Sequence, residues 1–353
     1  MLNKNYFWLL FMTFMMFISH ITACSNKKAE ETVITPSLQG ISEVIIQGTE
    51  SEQDIESLDK IAEMERSGRF TPGLGFVESG IRERAGDIAG SVVAAYKELC
   101  WTYAFSDKSS ANSMDKIQIR EGLLAILGLY GGKEWAPMDD FDDIPVNTRE
   151  DGHAAATAVL YFIDERWKEA GDLLGILFSG EEEIDSFSQW MILICSLEQG
   201  NASRGDRQRY SAIRSRYGYF PPYWYHLARC TEDEAARMDA AERCINLSPN
   251  GPYAMESRGI IASLFNIETS NGGAILVRRE IESLITNTVS SRNPEILHAL
   301  FPLIELPDNP YTMYAIGAMR ALCADVLFKD FYIQEATRSN GRLNERLNFI
   351  SRG

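Results

Sequence analysis

The sequence predicts an all-α protein of stacked helical hairpins, and three observations carry the prediction. From about residue 52 onward apolar residues recur at helical spacing; Ile55, Leu58, Ile61 and Met64, for example, share one helix face. Strict alternation and Thr- or Val-rich runs between hairpin turns, the marks of strands, are scarce. The interruptions are short and turn-like, as in "GLYGGKEWAP", "FSGEEE", "QGNASRGD", "SPNGP" and "LPDNP". They leave helical stretches of roughly 12 to 17 residues, the length of ordinary globular helices.

The first residues stand apart from that body. "MLNKNY" carries one positive charge, and Phe7 to Ile18 form a twelve-residue apolar run. A membrane-spanning helix needs about 20 such residues, so the run matches the core of a signal peptide instead. It ends in Ile21, Thr22, Ala23 and Cys24. This order of parts resembles the lipobox of bacterial lipoproteins. The resemblance implies that residues 1–23 are a leader that is removed and that Cys24 is the lipidated first residue of the mature chain. It also implies residence in the bacterial cell envelope. Ser25 follows the cysteine where many such proteins retained at the inner membrane carry Asp, which suits the outer membrane facing the periplasm.

Residues 24–51 are polar, broken by Pro36, Gly40 and Gly48, and without sustained period. They read as a flexible tether; about 25 residues of coil span roughly 25–30 Å root-mean-square. Val44, Ile45 and Ile46 form a short apolar patch able to dock on the body, and Lys27 and Lys28 offer weak attraction to lipid headgroups.

The helical domain then runs over 52–353. "GFVESGIRERAGDIAGSVVAAYKEL" pairs two helices across the turn at "AGD", setting Gly80 against Val92 and Tyr96. "AAATAVLYFIDERWKEAGDLLGIL" does the same, with Ala158 and Tyr161 on the first helix and Trp167, Ala170 and Leu174 on the second. Trp190 and Trp224 lie 34 residues apart and each opens a helix; after the second comes a helix containing Ala240 and Ala241, with Pro249 just past its end. This pattern resembles the tetratricopeptide repeat. The resemblance makes Gly80, Ala158, Ala170 and Ala228 the close-packing positions, while Trp190, Trp224, Tyr96 and Tyr210 fill gaps. Residues 76–105, 154–178, 187–217 and 223–249 fit such units; 250–300 and 311–350 fit as helix pairs only. A two-helix unit cannot bury its apolar face alone, so neighbours must stack into a solenoid.

Five cysteines follow Cys24, at 100, 195, 230, 244 and 323, an odd number with no CxxC pair. They read as small packed hydrophobes. Cys230 and Cys244 share one hairpin and are the pair an oxidising compartment would join, but no disulfide is expected.

Chemistry is hard to find. His153, His226 and His298 are far apart and lack metal-ligand spacing. Gly73, Gly75 and Gly80 are misplaced for a dinucleotide turn. Asp139 to Asp143 lack the ordered ligands of a calcium loop and read as a solvated acidic loop. Glu181, Glu182 and Glu183 read as the first turn of a helix, where the dipole favours acids. No catalytic residue, metal or cofactor is expected, and the protein is not expected to be an enzyme. The net charge of −16, or −17 once residues 1–23 and their single Lys are removed, disfavours nucleic acid.

One stretch invites a binding role. "YGYFPPYWYH", residues 217–226, holds six aromatics. Tyr219, Phe220, Tyr223 and Tyr225 either line a groove for a partner protein, peptide or apolar ligand or pack adjacent hairpins, with Trp224 inside. Arg204, Gly205 and Asp206 reproduce the integrin-recognition tripeptide, which is read as chance.

The expected function is a lipid-anchored envelope scaffold that binds a partner protein or peptide through its repeats, with homo-oligomerisation open. The layout also resembles the helical-repeat lipoproteins that accompany the substrate-binding proteins of TRAP-type transporters. That resemblance implies an apolar channel for a small ligand and a symmetric oligomer. A helical-toroid carbohydrate-active enzyme is the third reading and requires Asp139–Asp143 beside His153 and Tyr161 in one pocket.

Overall fold

A computed structural model describes residues 50–67, 71–107, 148–179 and 187–353. Every regular element among them is helical, as expected. Cys24, the leader, the tether up to residue 49, Asp139–Asp143 and Glu181–Glu183 lie outside the described residues.

The first three helices are α1 (Glu50–Arg66), α2 (Leu74–Arg84) and α3 (Ile88–Ala104). Leu58, Ile61 and Met64 of α1 meet Leu74, Val77 and Ile81 of α2 in a small apolar cluster, so the helical spacing in the sequence found the correct face. Gly86 ends α2 with φ +84°, and the Asp87 carboxylate then caps α3 by accepting from the Gly90 amide at 2.8 Å. The tightest contact in this hairpin falls elsewhere than expected. Gly80 is half-buried, and a Cβ there would have only the tip of Arg84 within reach, at 3.9 Å. Gly75 is the close-packing position: a Cβ on it would lie 2.8 Å from both the Ala94 carbonyl and the Glu98 Cβ. The helices come closest at the end remote from their turn.

The second hairpin comprises α4 (Thr148–Ile163) and α5 (Trp167–Leu177). Arg166 N donates to Tyr161 O at 2.8 Å and Glu165 N to Phe162 O at 3.2 Å, the paired bonds of a Schellman turn. The residue such a turn holds in the left-handed region is usually glycine; here it is Glu165, at φ +60°. An L side chain in that region costs roughly 1–2 kcal/mol. Ala158 and Ala170 are fully buried.

Next come α6 (Phe187–Glu198), α7 (Arg204–Ala212) and the short α8 (Arg214–Tyr217). Ser203 and Asp206 form a reciprocal capping box at the start of α7, which gives the Arg204-Gly205-Asp206 tripeptide a local structural role. Pro221 opens α9 (Pro221–Cys230), Asp233 caps α10 (Glu234–Leu247), and Pro252 opens α11 (Pro252–Leu264). The chain finishes with α12 (Thr269–Gly272), α13 (Arg278–Ser291), a 3₁₀ segment (Pro294–Leu300) and α14 (Phe301–Glu305). After these come α15 (Pro310–Ala321), α16 (Val326–Arg338) and α17 (Gly341–Ser351). Trp190, Trp224, Tyr96 and Tyr210 are buried, consistent with gap filling, and all five described cysteines are free, Cys230 and Cys244 included.

Helices pack mainly on their neighbours in sequence; several contacts skip an element, α9 on α6 and α11 among them, and those of α3 shape the molecule. Helix α3 touches α2 and α4 and also α6 and α11. It is buried on nearly every side, which its sequence "IAGSVVAAYKELCWTYA" explains: apolar and small residues run all the way round it. A Cβ at Gly251 would lie 2.6 Å from the Ala104 carbonyl, so the segment before α11 closes directly on the end of α3. One contiguous core runs from Ala89 to Ile350.

Candidate functional site

The aromatic stretch 217–226 is placed largely inside the protein. Phe220, Tyr223, Trp224 and Tyr225 are buried and Tyr219 is half-buried. Tyr223 stacks on Tyr210 with centroids 4.7 Å apart, and each hydroxyl donates to the other's carbonyl, at 2.8 and 3.0 Å. Phe220 stacks on Trp101 at 5.5 Å, and Trp224 donates to Gly218 O at 2.6 Å. These residues bind α9 to α7 and α3, so Phe220 and Tyr223 serve packing. Tyr219 and Phe220 also border a cavity of about 10 Å³, too small for a ligand. Only Tyr225 reaches a cleft of another kind.

That cleft, of about 30 Å³, lies among α3, the α4–α5 turn, α9 and α11. Phe162 and Trp167 meet edge-to-face at 5.2 Å on one side. Tyr225 and Tyr253 meet at 5.2 Å, and Tyr103 stands edge-on to Tyr253 at 5.6 Å. Such edge-to-face pairs hold rings in fixed orientations. Glu165 and Glu256 also line it. Arg229 Nη1 donates to Glu165 at 3.3 Å and to the Tyr225 hydroxyl at 3.2 Å, while its Nε lies 3.2 Å from Glu198. His226 Nδ1 is 2.7 Å from the same buried Glu198. Burial, reinforced by the Glu256 carboxylate, raises the Tyr225 phenol, and burial pushes the Cys100 thiol up to about 12. Phenol and thiol therefore stay protonated at neutral pH, and the cleft presents aromatic faces and carboxylates without a thiolate nucleophile.

Comparison with known protein families, characterised proteins and solved structures finds no match. The cleft must be judged on its own chemistry.

A second cluster, which sequence reasoning missed, binds α1, α2, α3 and α8 together. Lys97 Nζ donates to both Glu65 and Glu78. Arg216 Nη2 donates to Glu65 at 2.9 Å, and Arg82 Nε to Glu78 at 2.8 Å. Burial alone would raise the Glu78 carboxyl, but the charges of Lys97 and Arg82 outweigh it and hold the group below its ordinary value. Burial would likewise lower the Lys97 ammonium, and Glu78 and Glu65 raise it instead. Glu98, next in sequence, behaves differently. Burial dominates there and raises its carboxyl to about 7, although it accepts from the Gly73 and Gly75 amides at 2.7 and 3.0 Å. The network borders a cavity of about 50 Å³, room for a few waters. One signal was available: a Lys-Glu pair inside an otherwise apolar helix has to be buried on some side.

The three histidines remain apart. His153 sits half-buried on α4, His226 is in the cleft wall, and His298 lies 3.1 Å from Glu295 and 3.1 Å from Glu335. Among the described residues no three potential ligands converge on a metal position, and no helix is long and apolar enough to cross a membrane.

Proposed function

We propose that the protein is a lipid-anchored binding scaffold of the bacterial cell envelope, held to the membrane through Cys24 and acting by recognition. The observation that carries the reading is the Tyr225 cleft: fixed aromatic walls, the Glu165 and Glu256 carboxylates and the His226 ring, which is hydrogen-bonded behind to Glu198, surround a small opening. Aromatic anchoring surfaces framed by charge are what recognition sites use. The lipobox-like segment supports the membrane tether, and one acyl chain with a second attachment suffices for stable anchoring.

The alternative of a transporter accessory needs a ligand channel. Among the described residues the cavities at the Lys97 network and at the Tyr225 cleft, about 50 and 30 Å³, are far below the several hundred Å³ (roughly 300–1,000) of small-molecule pockets, which favours the partner-binding reading.

The test is cross-linking in intact cells with the full-length chain and a Cys24→Ala version, alongside labelling with an alkyne fatty acid. The reading expects label on the wild type only, and one dominant partner protein recovered with the lipidated form. Equal labelling of both forms, or recovery of no protein with either, would overturn it.

A further inference from the structure

The chain is strongly acidic, yet one stretch of it is basic. Residues 204–216 hold five arginines and a single acid, Asp206, while the remainder of the chain has 29 basic and 49 acidic residues. Arg216 is buried and donates to Glu65. The other four, Arg204, Arg207 and Arg209 on α7 and Arg214 on α8, are exposed.

The fold makes little use of these four. Among the described residues Arg204, Arg209 and Arg214 form no ion pair, and Arg207 reaches only Glu232, at 4.0 Å. Arg214 lies over the Trp224 ring at 4.9 Å, where Arg243 also lies, but Arg243 is neutralised by Asp239 at 2.8 Å. Arg204 opens α7, the end of a helix where its dipole disfavours a cation. Asp206 is committed to the Ser203 capping box. Counting Asp206 and Glu232 against the four arginines leaves two positive charges in excess. Screening confines an exposed charge to about 8 Å at physiological ionic strength, so a surface brought against this face meets its local charge and not the chain's total.

The second observation is where the face sits. Helix α8 packs on α1, and Arg216 meets Glu65 in the last turn of that helix. The 17 residues of α1 span about 25 Å, and the tether leads away from the far end with a span of roughly 25–30 Å. A bilayer holding the tether therefore lies within reach of the arginines. All four are guanidinium groups, whose planar fork matches phosphate oxygens.

We infer that Arg204, Arg207, Arg209 and Arg214 dock the body on the anionic phosphates of the membrane that its own tether reaches. This rests on the lipid-anchor reading and adds an orientation to it: the α7–α8 face lies against the bilayer. An acidic partner protein would offer similar charge, but the anchored membrane is the surface that the tether keeps continuously at hand.

Hydrogen exchange on the full-length chain, purified in detergent and reconstituted into vesicles, tests this. Vesicles of phosphatidylcholine alone are compared with vesicles containing about 30% phosphatidylglycerol. At about fivefold for each of the two excess charges, exchange of residues 203–217 should slow by roughly 30-fold on the anionic lipid. Salt at about 0.5 M should abolish the effect. The R204Q/R207Q/R209Q/R214Q variant should float with both vesicles and show no protection. Equal exchange on the two lipids, or protection that survives in salt or in the variant, would overturn the inference. Protection found only in vesicles of whole native membrane, and lost when their proteins are digested, would assign the face to an acidic protein and overturn it as well. Flotation reads the anchor separately. A wild type that floats with both vesicles but is never protected sinks the docking face and keeps the anchor. One that floats only with the anionic vesicles, and only at low salt, sinks the anchor and keeps the docking face.

Discussion

Replacing Lys97 by Met isolates the energetics of the buried network. Methionine keeps much of the apolar stem and removes the charge that Glu65 and Glu78 share. Lys97, Glu65 and Glu78 side chains are 6%, 4% and 9% exposed, so water cannot take over the lost contacts. Removing one partner from a buried ion pair typically costs about 3–5 kcal/mol, because the other charge is left uncompensated. Here Arg216 remains on Glu65 and Arg82 on Glu78, which sets the expectation at the lower end, about 3 kcal/mol. Against a total stability of about 5–15 kcal/mol this is a large loss. Urea unfolding followed by circular dichroism should show a midpoint lower by about 1–3 M, given slopes of about 1–3 kcal/mol per molar. Hydrogen exchange should place the weakening in residues 50–104, and adding Glu78→Gln should restore part of the loss by removing one stranded charge. A loss below about 1 kcal/mol, or a double variant no more stable than the single one, would refute the claim that these charges depend on one another.

Three further outcomes follow from the packing and the titrating groups. Gly75→Ala should destabilise by about 1–3 kcal/mol through collision with the α3 backbone, whereas Gly80→Ala should be neutral or stabilising by up to about 1 kcal/mol; thermal unfolding of the two side by side decides it. Glu98 has a folded-state value of about 7, above the 4.5 of an ordinary carboxyl. Its contribution is therefore fully present below pH 4.5 and is lost as pH rises through 7. Relative to Glu98→Gln, the wild type should lose on the order of 3 kcal/mol between pH 4.5 and 8, and parallel pH profiles of the two proteins would contradict that. Tyr223→Phe removes the hydroxyl that donates to Tyr210 O and should cost about 1–3 kcal/mol in urea unfolding with no change in helical signal.

Helical spacing made the first two hairpins and the face of α1 legible, because each helix buries a single stripe and the stripe is local in sequence. The close-packing glycine was misplaced for a related reason. Gly75 and Gly80 lie in the same helix, and only the splay of the pair, a three-dimensional property, selects between them. The aromatic stretch 217–226 was ambiguous because a groove and a packed joint use the same residues. What decides for Tyr223 is a stacking partner thirteen residues away, and for Tyr225 the rings and carboxylates of three other elements. Glu165 was invisible since the turn it occupies is usually signalled by glycine. Lys97, Glu65 and Arg216 escaped notice because Glu65 and Arg216 are 151 residues apart and meet only when the chain folds back on α3.

That fold-back bears on how such a chain can change over time. A repeat array whose units touch only their neighbours can gain or lose a unit and keep the rest, because each interface is replaced by an equivalent one. Here α3 packs on α6 and α11, Gly251 abuts its last carbonyl, and Arg216 reaches back to α1. Removing the hairpin of α4 and α5 would shift these later elements out of register with the helix they enclose. Loss of that hairpin would therefore cost the contacts that later elements make with α3 and α1, whereas in an array of nearest-neighbour units the same deletion costs little.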